Sequence, residues 1–162
     1  MRTILSLIAL SLLFNSCTWT QTAQNNTQDE QAVSMLKEFY IAHSNIWSMF
    51  RTDIPLKVVG EKLDSLAEKY CTLQLRIEAK KYLENGGFDV LTDERGISKE
   101  SLTSMEITKD ITKKNIYIVS YYHMQSSPAK LVKCHVFLYV KVVKEDYVYK
   151  IDSVTSRIER ML

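Results

Sequence analysis

From Asp29 onward the apolar positions fall first at helical and later at strand spacing. Val33, Leu36, Tyr40, His43, Trp47 and Phe50 recur at alternating steps of three and four residues, which predicts one face of a long helix. A second stripe of Ala32, Met35, Phe39, Ala42, Ile46 and Met49 lies beside it, so the helix should be gripped on more than one side. Pro55 and Gly60 break the pattern. Leu63, Leu66, Ala67 and Tyr70 then mark a short helix, and Leu75, Ala79, Tyr82 and Leu83 a third, which Asn85-Gly86-Gly87 should end by tolerating positive φ.

Beyond that point the period becomes two. Val132, Cys134, Val136, Leu138, Val140 and Val142 are all apolar and alternate with Lys133, His135, Phe137, Tyr139 and Lys141, which predicts a strand with one core face. A second strand is expected over Ile116 to Met124, joined to it through Gln125 to Ala129; others are expected over Met105 to Thr108 and Tyr147 to Val154. For the last hairpin, setting Val143 against Val148, Val142 against Tyr149 and Val140 against Ile151 keeps the apolar residues together, with Lys144 to Tyr147 as the loop. A slip by one residue would turn Lys150 and Asp152 toward the core. The expected fold class is α+β: about three N-terminal helices packed on a curved antiparallel sheet of about four strands.

The N-terminus has a different pattern. Arg2 precedes Ile4 to Phe14, a run of eleven residues interrupted only by Ser6 and Ser11. This is the anatomy of a secretory signal. It is about half the roughly 20 apolar residues a membrane-spanning helix requires, so residues 1–16 read as a removed segment. Phe14-Asn15-Ser16-Cys17 resembles the bacterial lipobox, with Phe14 standing where Leu is usual. The resemblance implies cleavage after Ser16 and lipid on Cys17, a stable anchor when several acyl chains are attached. Residues 18–28 are dominated by Thr, Gln and Asn and reach roughly 35 Å at about 3.3 Å per residue when extended, so 17–28 read as the lipidated Cys and a flexible tether. Residues 29–162 are then a single domain. No acidic cluster follows Cys17, which favours an outer-membrane protein facing the periplasm.

Without residues 1–16 the chain has 146 residues with 20 basic and 19 acidic side chains. That near-neutrality gives no nucleic-acid footprint, and the length suits one domain that needs neither metal nor disulfide. An exported compartment permits a bridge between Cys71 and Cys134, but both sit in apolar patterns, which favours two buried thiols.

Three helices before an antiparallel sheet resemble the cystatin-like cone typified by nuclear transport factor 2. Leu63-Asp64-Ser65-Leu66 leading to Tyr70-Cys71-Thr72, the Gly-Gly-Phe-Asp segment at 86–89, and Tyr149-Lys150-Ile151-Asp152-Ser153-Val154 further resemble a domain-of-unknown-function family of small bacterial lipoproteins. That family lacks an assigned activity, so the resemblance implies no catalytic residue.

The chemistry-bearing residues are few. His123 and His135, with His43, invite a metal reading, but pairing Met124 with Lys130 sets the two strand histidines roughly 13 Å apart. Asp89, Asp93 and Glu94 lack the alternation of a calcium loop and read as a solvated turn. No nucleophile elbow, phosphate loop or paired-cysteine zinc spacing occurs. No cofactor is expected. Of nine Tyr, Tyr117 and Tyr121 are expected to share with Phe137 and Tyr139 the sheet face opposite the aliphatic stripe, flanked by Lys133, His135 and Lys141. That face is the candidate binding surface for a ligand, an envelope protein or peptide, or a second copy of the chain. The alternative is that its aromatic pairs only stabilise the sheet. The sequence favours a non-enzymatic binding domain in the cell envelope over a small enzyme with a concealed pocket site or a structural component.

Overall fold

A computed structural model describes residues 16–85, 89–92, 97–126 and 131–161, with side chains from Thr27 onward except that of Ser126. Residues 1–15, which hold most of the expected signal segment, and residues 86–88, 93–96, 127–130 and 162, among them Gly86, Gly87, Asp93, Glu94 and the expected hairpin connection, lie outside the described residues. Helix α1 spans Ser16–Ser48 and ends in a 3-10 turn at Met49–Arg51; α2 spans Leu56–Tyr70, α3 Leu73–Glu84 and the short α4 Lys99–Leu102. Strands β1 (Glu106–Lys109), β2 (Ile116–Ser126), β3 (Leu131–Glu145) and β4 (Val148–Arg160) follow. They form one antiparallel sheet in the order β1-β2-β3-β4. The fold is therefore α+β, with three N-terminal helices packed on a four-stranded antiparallel sheet.

Helix α1 begins before Asp29, so its first turns include residues 17–28, which composition alone assigns to a tether. Both of its stripes enter the interior, where Ala32, Leu36, Phe39, Tyr40, His43 and Ser44 are buried. Gly60 does not break a helix as expected. It lies inside α2, because a glycine costs only about 1 kcal/mol there and the packing of Val59 and Tyr70 outweighs it. Tyr70 hands the chain directly to α3 through Cys71, whose extended backbone bridges Ile151 on β4. Thr72 caps α3, its hydroxyl accepting from the Leu75 N–H.

The even-numbered stripe of β3 is the heart of the core: Cys134, Val136, Leu138 and Val140 are fully buried and Val142 nearly so. The last four join Leu36, Phe39 and Tyr40 of α1 in one cluster. Cys71 and Cys134 are both buried free thiols. Burial, aided by the Asp89 charge, pushes the Cys71 thiol up to about 12.

Two strand registers differ from expectation. Asp146 and Tyr147 alone turn the β3–β4 hairpin, both with positive φ, so Glu145 faces Val148 and Val142 faces Ile151. This is two residues away from the expected pairing and preserves its faces. Asp152 then bulges out of the ladder, so that Lys141 pairs with Ser153 and Val140 with Val154. Its carboxylate accepts from Lys141 Nζ at 2.8 Å.

In the other hairpin Met124 faces Lys133, not Lys130, a shift of odd length that exchanges the faces of β2. Tyr117 then lies opposite Val140 and Tyr121 opposite Val136, and both tyrosines are core residues. Their expected place beside Phe137 and Tyr139 is thus corrected. The sequence of β2 conceals this because both of its alternating sets, Tyr117-Val119-Tyr121 and Ile116-Ile118-Tyr122, are apolar enough to be buried.

Candidate functional site

On the outer sheet face the expected aromatic cluster is reduced and changed. Tyr122 replaces Tyr117 and Tyr121: its ring stacks on the facing His135 at 4.5 Å, and His135 lies 4.1 Å from Phe137. Lys133 Nζ sits 4.2 Å from the Tyr122 ring centre. Tyr139 is half-buried, Lys141 is exposed, and Lys113 Nζ lies 6.0 Å from the Tyr139 ring. These side chains satisfy one another, as cross-strand pairs do. His123 faces Cys134 on the opposite side of the sheet from His135, so the two histidines cannot share an ion. Among the described residues no group of three His, Cys, Asp or Glu could hold a metal.

A second region arises where α1 meets α2 and α3. Residues 89–92 meet α1 at Tyr40 and His43, and Asp89 is buried there rather than solvated in a turn. Its Oδ2 lies 2.7 Å from His43 Nε2 and accepts from the Thr92 hydroxyl at 2.9 Å; its Oδ1 accepts from the Leu91 N–H at 3.0 Å. A buried carboxylate requires such partners, and three donors supply them. The two core tyrosines hold the same segment from below. Tyr40 donates to the Leu91 carbonyl and Tyr121 to the Thr92 carbonyl, each at 3.3 Å. Burial is the main reason that the Tyr40 hydroxyl is pushed well above its ordinary value, with the charges of Tyr121 and Asp89 adding to it.

His43 is 2% exposed and sandwiched along its own helix face. Trp47 stacks on it at 5.7 Å and Phe39 lies at 5.8 Å. Nδ1 of His43 is buried without a hydrogen-bond partner. Beside the ring opens a cleft of about 490 Å³, walled mainly by Trp47, Leu63, Leu66, Ile77, Leu83 and Leu91, with Arg76, Lys80, Asp64 and Glu84 also lining it. Leu73, Ile77 and Leu83 of α3 remain exposed although they border this apolar hollow. A concave apolar site with few polar groups at its wall is the usual form of a small-molecule site.

The sequence placed His43 correctly on the inner helix face but assigned Asp89 to solvent. The signal that could have paired them is weak: a lone acid following Gly-Gly-Phe and preceding the apolar Val90-Leu91.

No family model matches the chain, and no curated protein matches it. Among solved structures it is similar to a protein of unknown function from Bacteroides thetaiotaomicron VPI-5482. The TM-score is 0.70 at 20% identity, over 85% of this chain and 98% of that one. Likeness at that identity shows a shared fold, three helices on an antiparallel sheet, and leaves function to the chain's own residues.

Proposed function

We propose that this chain is a lipid-anchored binding module of the bacterial cell envelope, of the kind found among small lipoproteins with a cystatin-like domain, and that its ligand occupies the cleft between α1, α2 and α3. The observation that carries this reading is the cleft itself, about 490 Å³ and lined mostly by apolar side chains, with the buried His43–Asp89 pair at its wall. Volumes of about 300–1,000 Å³ accommodate small organic ligands. The anchor part of the reading rests on Arg2, the apolar run to Phe14 and Cys17. The outer sheet face offers less, because its rings and lysine already contact one another.

The reading is tested with 1-naphthol as a probe, titrated calorimetrically into the full chain held in phosphatidylcholine nanodiscs, with empty nanodiscs subtracted. Saturable binding that disappears when Ala79→Trp fills the cleft is the expected result. No binding beyond the empty discs, or binding indifferent to Ala79→Trp, would contradict it.

A second reading has one observation in its favour. An imidazole oriented by a buried carboxylate, with its other nitrogen unpartnered, is the arrangement of a general base. A small proton-transfer enzyme would use the same cleft.

A further inference from the structure

Helix α1 enters the domain at one end of the sheet. Tyr117, at the start of β2, donates to Asp29 Oδ1 at 2.9 Å, and Lys109, at the end of β1, donates to both Asp29 oxygens at 2.7 and 2.6 Å. Further along α1, Tyr40 meets Leu91, next to the Thr92 carbonyl held by Tyr121 further along β2. The helix therefore runs with β2. Its turns before Asp29, with Cys17 at their start, continue past the sheet on the side of the β1–β2 loop, residues 110–115, and of the β3–β4 turn.

Those two connections carry the most exposed large apolar side chains of the domain. Ile111 is 98% exposed and Tyr147 93%. Single apolar residues at a surface are ordinary, but both of these are presented by braced turns. Asp110 Oδ1 accepts from the N–H groups of Thr112 and Lys113 at 2.8 and 3.2 Å, which fixes the turn bearing Ile111. Tyr147 holds φ 67° at a hairpin position that favours glycine, a cost to the backbone that its solvated ring does not offset within the domain.

Distance along the axis decides whether these tips can reach the membrane. Cys17 stands about 18 Å before Asp29 at about 1.5 Å per helical residue. Ile111 follows Lys109 by two positions, and Tyr147 precedes by two the Tyr149 hydroxyl on which the Asp29 charge acts, so each tip reaches up to about 7 Å past Asp29 at about 3.3 Å per residue. Roughly 11 Å then remains, of which the headgroup layer of one leaflet takes up about 5–8 Å. A tilt of α1 closes the rest. Charge does not select the lipid: Lys113, Lys114 and Lys144 are balanced by Asp110, Glu145 and Asp146.

We propose that this end of the domain rests on the lipid surface, with Ile111 and Tyr147 inserted among the headgroups of a zwitterionic bilayer. The exposed lysines lay their apolar stems along the same interface. So small a contact would not hold a free protein, but beside an anchor it is intramolecular, and weak insertion then suffices. The cleft beside His43 is thereby held about 20 Å farther from the membrane than Asp29, at about 1.5 Å per helical residue. This inference rests on the Cys17 anchor of the reading above and adds how the anchored domain sits.

The test uses the full chain in phosphatidylcholine nanodiscs, part of whose lipid carries a doxyl quencher high on the acyl chain. Ile111→Trp and Tyr147→Trp place a fluorophore at each tip, and Met124→Trp places one at an exposed position toward the other end of β2. The signal of the natural chain, from Trp19 and Trp47, is subtracted. The added fluorescence should lose most of its intensity at both tips and none at the Met124 position. Ile111→Asp combined with Tyr147→Trp should relieve the quenching, since the two tips insert together. Tips quenched no more than the Met124 position, or quenching undiminished by Ile111→Asp, would overturn the inference while leaving the anchor in place. A natural chain that does not stay with the discs would overturn both.

Discussion

Asp89 closes its carboxylate on His43 at 2.7 Å, joining a loop beyond α3 to the inner face of α1 in a place where neither side chain touches solvent appreciably. This pair ties the third helix's exit to the first helix and defines one wall of the cleft. Asp89→Ala leaves His43 Nε2, the Leu91 N–H and the Thr92 hydroxyl without their acceptor. It should destabilise the protein by about 3–5 kcal/mol, as breaking a buried pair does. Urea unfolding followed by circular dichroism measures this; a loss below about 1 kcal/mol would mean that water reaches the site.

Leu138 and Tyr139 are neighbours on β3 with opposite fates. Leu138 is fully buried in the main cluster and Tyr139 is half-buried on the outer sheet face. Leu138→Ala should cost about 2–5 kcal/mol, and Tyr139→Ala clearly less. Equal losses in a urea titration would place Tyr139 in a second packed layer.

The Cys71 thiol has an ordinary value of 9.0 and is pushed up to about 12 in the fold, first by desolvation and then by the Asp89 charge. A group raised on folding contributes stability that is whole below its unfolded value and is lost as pH climbs to the folded one. The urea midpoint should therefore be insensitive to this thiol up to about pH 9 and fall between about 9 and 12. Tyr40, also raised by burial, acts in the same direction at high pH. In native protein at pH 8 iodoacetamide should leave Cys71 and Cys134 unmodified, and in urea it should label both.

Cys17 carries the anchor in this account. Cys17→Ser should release the protein from the membrane fraction and abolish incorporation of labelled fatty acid, since one apolar run of eleven residues is too short to span a bilayer. Unchanged fractionation of the variant would contradict lipidation. Among the described residues no helix is long and apolar enough to cross a membrane.

What the sequence revealed and what it concealed divide along physical lines. The three helices and the buried stripe of β3 were legible because their periods, near 3.6 and 2, persist over many residues. The faces of β2 were not, since both are apolar and only the hairpin length fixes which one meets the helices. The two-residue turn at Asp146-Tyr147 was hidden because tyrosine rarely adopts φ near its 67° there. Asp89 was misread for another reason. A solvated loop acid and a buried one look alike in sequence, and only the meeting of Asp89 with His43 in space tells them apart.

The claim at the centre of this account is that the cleft beside His43 and Asp89 is a ligand site. A crystal structure of the full chain soaked with 1-naphthol addresses it most directly. The account predicts density for the naphthalene rings among Trp47, Leu63, Leu66 and Leu83. An empty cleft with naphthol stacked instead on Tyr122, Phe137 or Tyr139 would contradict it and return the binding function to the sheet.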